Sequence, residues 1–279
     1  RRGVFSCYLP VADDREMPAV QRELSDSNWQ DLLLLAHTDK HAAFERYASY
    51  YLTTNGQLYW SDTHQMSPYF DGYHALIDQV TARGVAGSEM ITELYVPRAR
   101  LGEFLGKVGE RLRSGGDEVI YGTIRLIERD RVTVLPWARE RYACVIFNLH
   151  VPHSDQGLRR SARAFRDLIE LAIERGGSYY LTYHRHATRE QVLAAYPRFP
   201  EFLEHQREHD PGELFQSDWV RHYRRMFAPV RRAGVKPPPG VRPTEVATGV
   251  RPTEIATGVR PPGVRPPGVR PTEVRPADA

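Results

Sequence analysis

The stretch from Asp117 to Val151 constrains this chain most. It reads DEVIYGTIRLIERDRVTVLPWARERYACVIFNLHV, two β-prone runs joined by a charged connection, and predicts a long β-ribbon. In the first run Val119, Tyr121, Thr123, Arg125 and Ile127 alternate with Ile120, Gly122, Ile124 and Leu126. One face is then mostly apolar, and the other gathers Tyr121, Thr123 and Arg125. The return run, Ala143 to Val151, is richer in apolar and β-branched residues and is predicted to be the more buried. An arginine mid-strand in so apolar a segment either pairs with an acid or faces a ligand.

The elements around the ribbon fix its context. Glu89 to Val96 reads as a strand ended by Pro97, and Arg98 to Arg113 as a helix with Leu101, Phe104, Leu105, Val108 and Leu112 on one face. Ser114-Gly115-Gly116 stops that helix. After the ribbon, Leu158 to Glu174 predicts a helix, Gly176-Gly177 ends it, and Ser178 to Tyr183 predicts a last strand. The order β-α-β-β-α-β predicts an α+β, ferredoxin-like fold: one antiparallel sheet with both helices on one face. Helices flank this unit. Before it come a short strand at Val4 to Leu9, then helices around Trp29 to Ala36 (capped by Ser25 or Ser27), Asp39 to Leu52 and Ala75 to Ala82. After it come helices at Thr188 to Ala195, Phe199 to Glu208 and Val220 to Met226.

Composition divides the chain again. Gly-Val-Arg-Pro begins at Gly240, Gly249, Gly258, Gly263 and Gly268. Eleven of the 21 prolines lie from Pro237 onward, with almost no large apolar residue among them. Such a segment cannot offset its own ordering entropy and is predicted to be disordered or partly polyproline II. The expected organisation is residues 1–88 as a helical and loop lead-in, 89–227 as the α+β domain with its C-terminal helices, and 228–279 as a Pro-rich tail. From Arg231 the chain has nine Lys/Arg and four acids; residues 1–230 hold 29 basic and 31 acidic residues. The basic charge therefore belongs to the tail, and no nucleic-acid surface is predicted. Cys7 and Cys144 make no disulfide framework, which favours a reducing, cytoplasmic compartment. No membrane span or signal peptide is predicted, since no apolar run is long enough. The sequence opens on Arg1 rather than Met and is read as processed or as a fragment.

Candidate functional residues fall in three places. Tyr59-Trp60-Ser61-Asp62-Thr63-His64-Gln65, followed by Tyr69, Asp71, Tyr73 and His74, is the densest polar and aromatic patch. It suits either a concave binding site or a packed loop. Tyr183-His184-Arg185-His186 closes the last predicted strand. It is either a solvated strand end or a set facing an anion or cofactor. Histidines are also spaced like ligands. His37 and His41 stand four apart but are read as a polar helix face, because no third ligand is indicated. His150 and His153 are read as belonging to a strand-end turn. Cys144, in an apolar strand, is read as an inert core thiol. No phosphate loop, dinucleotide fingerprint, nucleophile elbow, H-E-x-x-H or C-x-x-C motif is present.

The run YGTIRLIERD (Tyr121 to Asp130), then Leu135-Pro136 and the strand to His150, resembles the substrate (cap) domain of FAD-linked oxidases of the vanillyl-alcohol-oxidase type, in the sugar-lactone and alditol oxidase branch. Ala195-Tyr196-Pro197, Phe202, Asp210-Pro211 and Phe215 are similar to that family's C-terminal end, so the resemblance covers roughly residues 1–227. It implies that Arg125 is the pocket arginine beside the flavin. Thr123 stands where alditol oxidases carry a glutamate. The family's H-W-G-K motif would fall near Tyr183 to His186, where no lysine is present and His184, Arg185 or His186 would substitute. The implied catalytic set is Arg125, Thr123, His184 and His186. The implied substrate-binding set is Tyr121, Arg185, Tyr183, Trp60 and His64. The cofactor would be FAD, held mainly by a domain upstream or on a separate chain, and the substrate a small molecule bearing a hydroxyl. This chain alone would then bind FAD poorly and be nearly inactive. The rival expectation is a non-catalytic ferredoxin-like binding module with a proline-rich, partner-binding tail.

Overall fold

The computed structural model describes residues 3–12, 14–60, 72–81 and 84–228. The Gly-Val-Arg-Pro tail and the middle of the polar–aromatic patch, including His64, lie outside the described residues. Four strands make one sheet: β1 (Gly87–Pro97), β2 (Glu118–Ile127), β3 (Tyr142–Pro152) and β4 (Ser178–Tyr179). Their order is β2-β3-β1-β4, and every neighbouring pair is antiparallel. Between β1 and β2 runs α4 (Leu101–Gly115), and between β3 and β4 runs α5 (Asp155–Ile173).

The period-2 alternation of the strands decides which side the helices cover. Leu94 and Val96 of β1 and Ala143, Val145 and Leu149 of β3 face Phe104, Val108 and Leu112 of α4 and Phe165, Leu168, Ile169 and Ala172 of α5. This is one continuous buried core. Local signals position its helices. Ser154 caps α5 by accepting from the Gly157 amide, and Gly116, left-handed at φ 65°, ends α4.

Three further helices, α1 (Asp26–Thr38), α2 (Lys40–Thr53) and α3 (Tyr73–Thr81), precede the sheet. The caps of α1 and α2 are Ser25 and Asp39, whose side chains accept from Asn28 and from His41 and Ala42. Three more follow it: α6 (Arg189–Ala195), α7 (Phe199–His209) and α8 (Asp218–Phe227). They gather around Phe199, with Phe202, Trp219, Tyr223 and Phe227 in ring contact with it.

Three expectations need correction. The predicted strand at Val4 to Leu9 is irregular chain, and Phe5 and Leu9 are exposed; among the described residues no strand pairs with it. The last strand is two residues rather than Ser178 to Tyr183. Its would-be acceptors are taken by the C-terminal elements: the Tyr196 hydroxyl donates to the Tyr179 carbonyl, and the Trp219 indole donates to the Leu181 carbonyl at 2.8 Å. Finally, β2 carries a bulge between Val119 and Tyr121. Val119 therefore pairs with Leu149 on the helix side, while Tyr121 pairs with Asn148 on the other, so the two do not share a face.

Gly177 leads into β4 through a gap that admits no side chain. A Cβ there would lie 2.0 Å from the Tyr95 carbonyl oxygen and 2.7 Å from that of Ala172. Gly177→Ala is expected to lower stability by about 1–3 kcal/mol in denaturant unfolding, as overpacking does. Gly106→Ala, in mid-α4 with nothing within 4 Å of the added carbon, is expected to raise it by up to ~1 kcal/mol.

Candidate functional site on the open face of the sheet

The side of the sheet away from α4 and α5 is built of cross-strand rows. In sequence register, Glu89 lies beside His150 and Glu118, Ile91 beside Asn148 and Tyr121, Glu93 beside Ile146 and Thr123, and Tyr95 beside Cys144 and Arg125. Each row thus takes one residue from β1, β3 and β2. Every row holds a polar group, which is unusual for a face whose central members are this buried.

The lower rows centre on Glu93. Its Oε1 accepts from the Tyr95 hydroxyl at 2.6 Å and from the Cys144 thiol at 3.1 Å. Burial, then the Glu93 carboxylate, pushes the Cys144 thiol and the Tyr95 phenol far up. Cys144 therefore stays protonated and acts as a donor rather than a nucleophile. Tyr183, 46 % exposed, is also raised, first by burial and then by Glu93. Arg125 is exposed, and its positive charge acts in the opposite direction on both Cys144 and Tyr183. Among the described residues no acid pairs with it. Beyond Tyr95 lies a cleft of about 340 Å³, walled by Leu135, Trp137, Tyr180, Leu181 and Trp219. Trp137 touches Tyr95 edge-on and Tyr180 packs on Tyr183, so the cleft adjoins the Glu93 group.

The upper row is a second cluster. Glu89 Oε1 lies 3.1 Å from His150 Nδ1 and 3.4 Å from His37 Nε2, and its Oε2 is 2.7 Å from His74 Nδ1. The side chains of Glu89, His37 and His150 are only 7 %, 0 % and 3 % exposed. His37 comes from the last turn of α1, His74 from the first turn of α3.

The sequence-predicted site residues part company here. Thr123, Arg125, Tyr121 and Tyr183 share the open face. His184 and His186 do not. Tyr183 and His184 are neighbours in a chain leaving the sheet, and they turn to opposite sides. His184 lies 3.4 Å from the Thr92 hydroxyl and packs on Phe165 of α5, with His186 stacked against both rings. These imidazoles belong to the helix-side core, neither a solvated strand end nor neighbours of Arg125. Arg185 is exposed and its charge bears on Asp218, His222 and Tyr223 of α8. Trp60 is exposed at 58 % beyond α2.

Sequence reasoning passed over Glu93, hidden in a strand recognised by its apolar residues, and misassigned His37. His41, its supposed companion, is 79 % exposed and faces Glu45. The legible signal was that His37 continues the apolar stripe of α1 beyond Leu33. His150 was read with His153; instead it points to Glu89, while His153 meets Ser88 at 2.9 Å.

No protein-family profile matches this chain, and no curated protein sequence matches it significantly.

His184 gives a pH test. Burial, and secondarily the charge of His186, lowers it from 6.5 to about 4. The unfolded chain then binds the extra proton first. The stability carried by neutral His184 is complete above about pH 6.5 and is lost as pH falls toward 4, by on the order of 3 kcal/mol. Urea unfolding between pH 7 and 4 is expected to show this decline, and His184→Gln to flatten it.

Proposed function

We propose that this chain is the substrate-facing cap of an FAD-linked oxidoreductase acting on a CH–OH group. In this reading its four strands and two covering helices form a ferredoxin-like unit whose open face turns toward a flavin domain on another segment or chain. The observation that carries the reading is the group of Arg125, Glu93, Tyr183 and Thr123 on one face, Arg125 and Tyr183 exposed and Glu93 and Thr123 half-buried. A cation, a carboxylate and a phenol converge there beside a cleft, where a folded core would otherwise be apolar.

The residues fit the substrate side of a flavin and not its diphosphate. Among the described residues, β1 leads into a 3-10 turn and α4 with no capping side chain, and no glycine-rich loop opens a helix after a strand. Bound flavin would supply the hydride acceptor. Arg125 would donate to the substrate oxygen and stabilise negative charge growing on it. Glu93 lies in the same row as Thr123, where alditol oxidases carry a glutamate. It would supply the acidic group that Thr123 does not, accepting the hydroxyl proton while Tyr95 and Cys144 hold its carboxylate in place. His184 and His186 would support the sheet from its helix side through packing rather than contact with substrate.

A second reading, a non-catalytic binding module, is favoured by one observation. Ile124 and Leu126 on edge strand β2 are 46 % and 60 % exposed, a surface suited to an apolar partner.

Flavin reduction separates the two. The chain joined to an FAD-binding domain of this type is expected to bleach the flavin anaerobically when given polyols or sugar lactones. Arg125→Ala should slow bleaching about 100-fold or more with an unchanged circular dichroism spectrum. Wild-type rates in that variant would remove Arg125 from the mechanism, and no bleaching with any hydroxyl substrate would favour the binding module.

A further inference from the structure

The second cluster on the open face lies apart from the proposed substrate site. Glu89 and Glu93 are four residues apart on β1, about 13 Å along an extended strand. Glu89 is a nearly buried carboxylate whose partners among the described residues are three histidines. A buried carboxylate needs positive charge nearby, and an ion held between it and these imidazoles would supply it. We propose that His37, Glu89 and His150 bind a divalent transition metal, with zinc the best match, and that the ion clasps the N-terminal helices to the sheet.

The geometry favours an ion over a simple hydrogen-bond network in three ways. Ligands about 2.1 Å from one tetrahedral zinc stand roughly 3.4 Å from each other. Glu89 Oε1 is already 3.1 Å from His150 Nδ1 and 3.4 Å from His37 Nε2, and the three donors all lie within 4.8 Å of one another. Second, the donor set suits the ion: two imidazoles and a carboxylate select zinc and its neighbours over calcium or magnesium. Third, the outer groups are in place. His74 Nδ1 sits 2.7 Å from the second Glu89 oxygen and would orient the carboxylate. His150 is held by shape, since a Cβ on Gly87 would lie 2.3 Å from its ring. Any side chain at position 87 would displace the ring from this place beside Glu89.

One contact must change on binding. The Tyr73 hydroxyl lies 2.8 Å from His37 Nε2, along the direction the ion would take. Tyr73 swings aside, which leaves three fixed protein ligands and one exchangeable position. The ion would join α1 to the first residues of β1 and the last of β3, so its binding energy would add to folding.

The test uses the full chain, stripped with a chelator and titrated with cobalt(II) and then zinc. One cobalt per chain is expected, with the visible absorption of a low-symmetry tetrahedral or five-coordinate ion, displaced by one zinc, and with a higher thermal midpoint. Glu89→Gln should weaken zinc binding about 100-fold or more, and His41→Gln, on the neighbouring exposed helix face, should leave it unchanged. Tyr73→Phe should bind zinc at least as tightly, since it removes the competing hydrogen bond. Should Glu89→Gln fail to fold, the wild-type titration decides alone. No cobalt absorption and no thermal shift in tenfold zinc excess would overturn the proposal, as would equal binding by folded Glu89→Gln or a stronger loss with His41→Gln.

Discussion

The pairing of β1 with β3 is the constraint on which the rest of the structure depends. It runs unbroken for eleven residues on each strand, from Gly87 opposite Pro152 to Pro97 opposite Tyr142. With β2 outside β3 and β4 outside β1, neither central strand is an edge. Both of its faces are covered in its central part. Leu94, Val96, Ala143 and Val145 are fully buried under the helices, as is Tyr95 on the opposite side, with Cys144 nearly so. A strand buried on both sides loses the polar–apolar alternation of a surface strand. That is why Ala143 to Val151 reads as an almost continuous apolar run.

Strand parity then distributes the chemistry. Thr92 and Glu93 are adjacent in sequence, but Thr92 leads to His184 and the Phe165 stack, whereas Glu93 leads to Tyr95 and Cys144. The thickness of the sheet separates them. The same rule keeps the Glu89 and Glu93 clusters on one face at different heights. A carboxylate anchors each, but their partners differ: hydroxyl and thiol donors around Glu93, imidazoles around Glu89.

How much of this was legible depended on the range over which a signal acts. The ribbon, the two covering helices and their stops could be read because alternation, helical spacing and Gly stops are local, although the first turn of α5 and its Ser154 cap were passed over. The common face of Tyr121, Thr123 and Arg125 followed from the same period. The length of β4 was not legible, because Tyr196 and Trp219, which occupy its carbonyls, lie well downstream. His37 was misread for the same reason: its partners at Glu89 and His150 lie beyond any window in which histidine spacing can be judged. Tyr183 to His186 was read as one group because the chain gives no local sign that it leaves the sheet after Tyr180, whose amide still bonds to Glu93.

The bulge at Ile120 has a consequence for the phase of the edge strand. Glu118 and Tyr121 are three residues apart, a spacing that places side chains on opposite sides of a regular strand. Here both face the open side, Glu118 beside His150 and within 3.2 Å of the Lys40 amine, and Tyr121 beside Asn148. One extra residue acts as a half-period shift. Without it the strand could present its first acid to the N-terminal helices, or its Tyr121–Arg125 run to the open face, but not both at once.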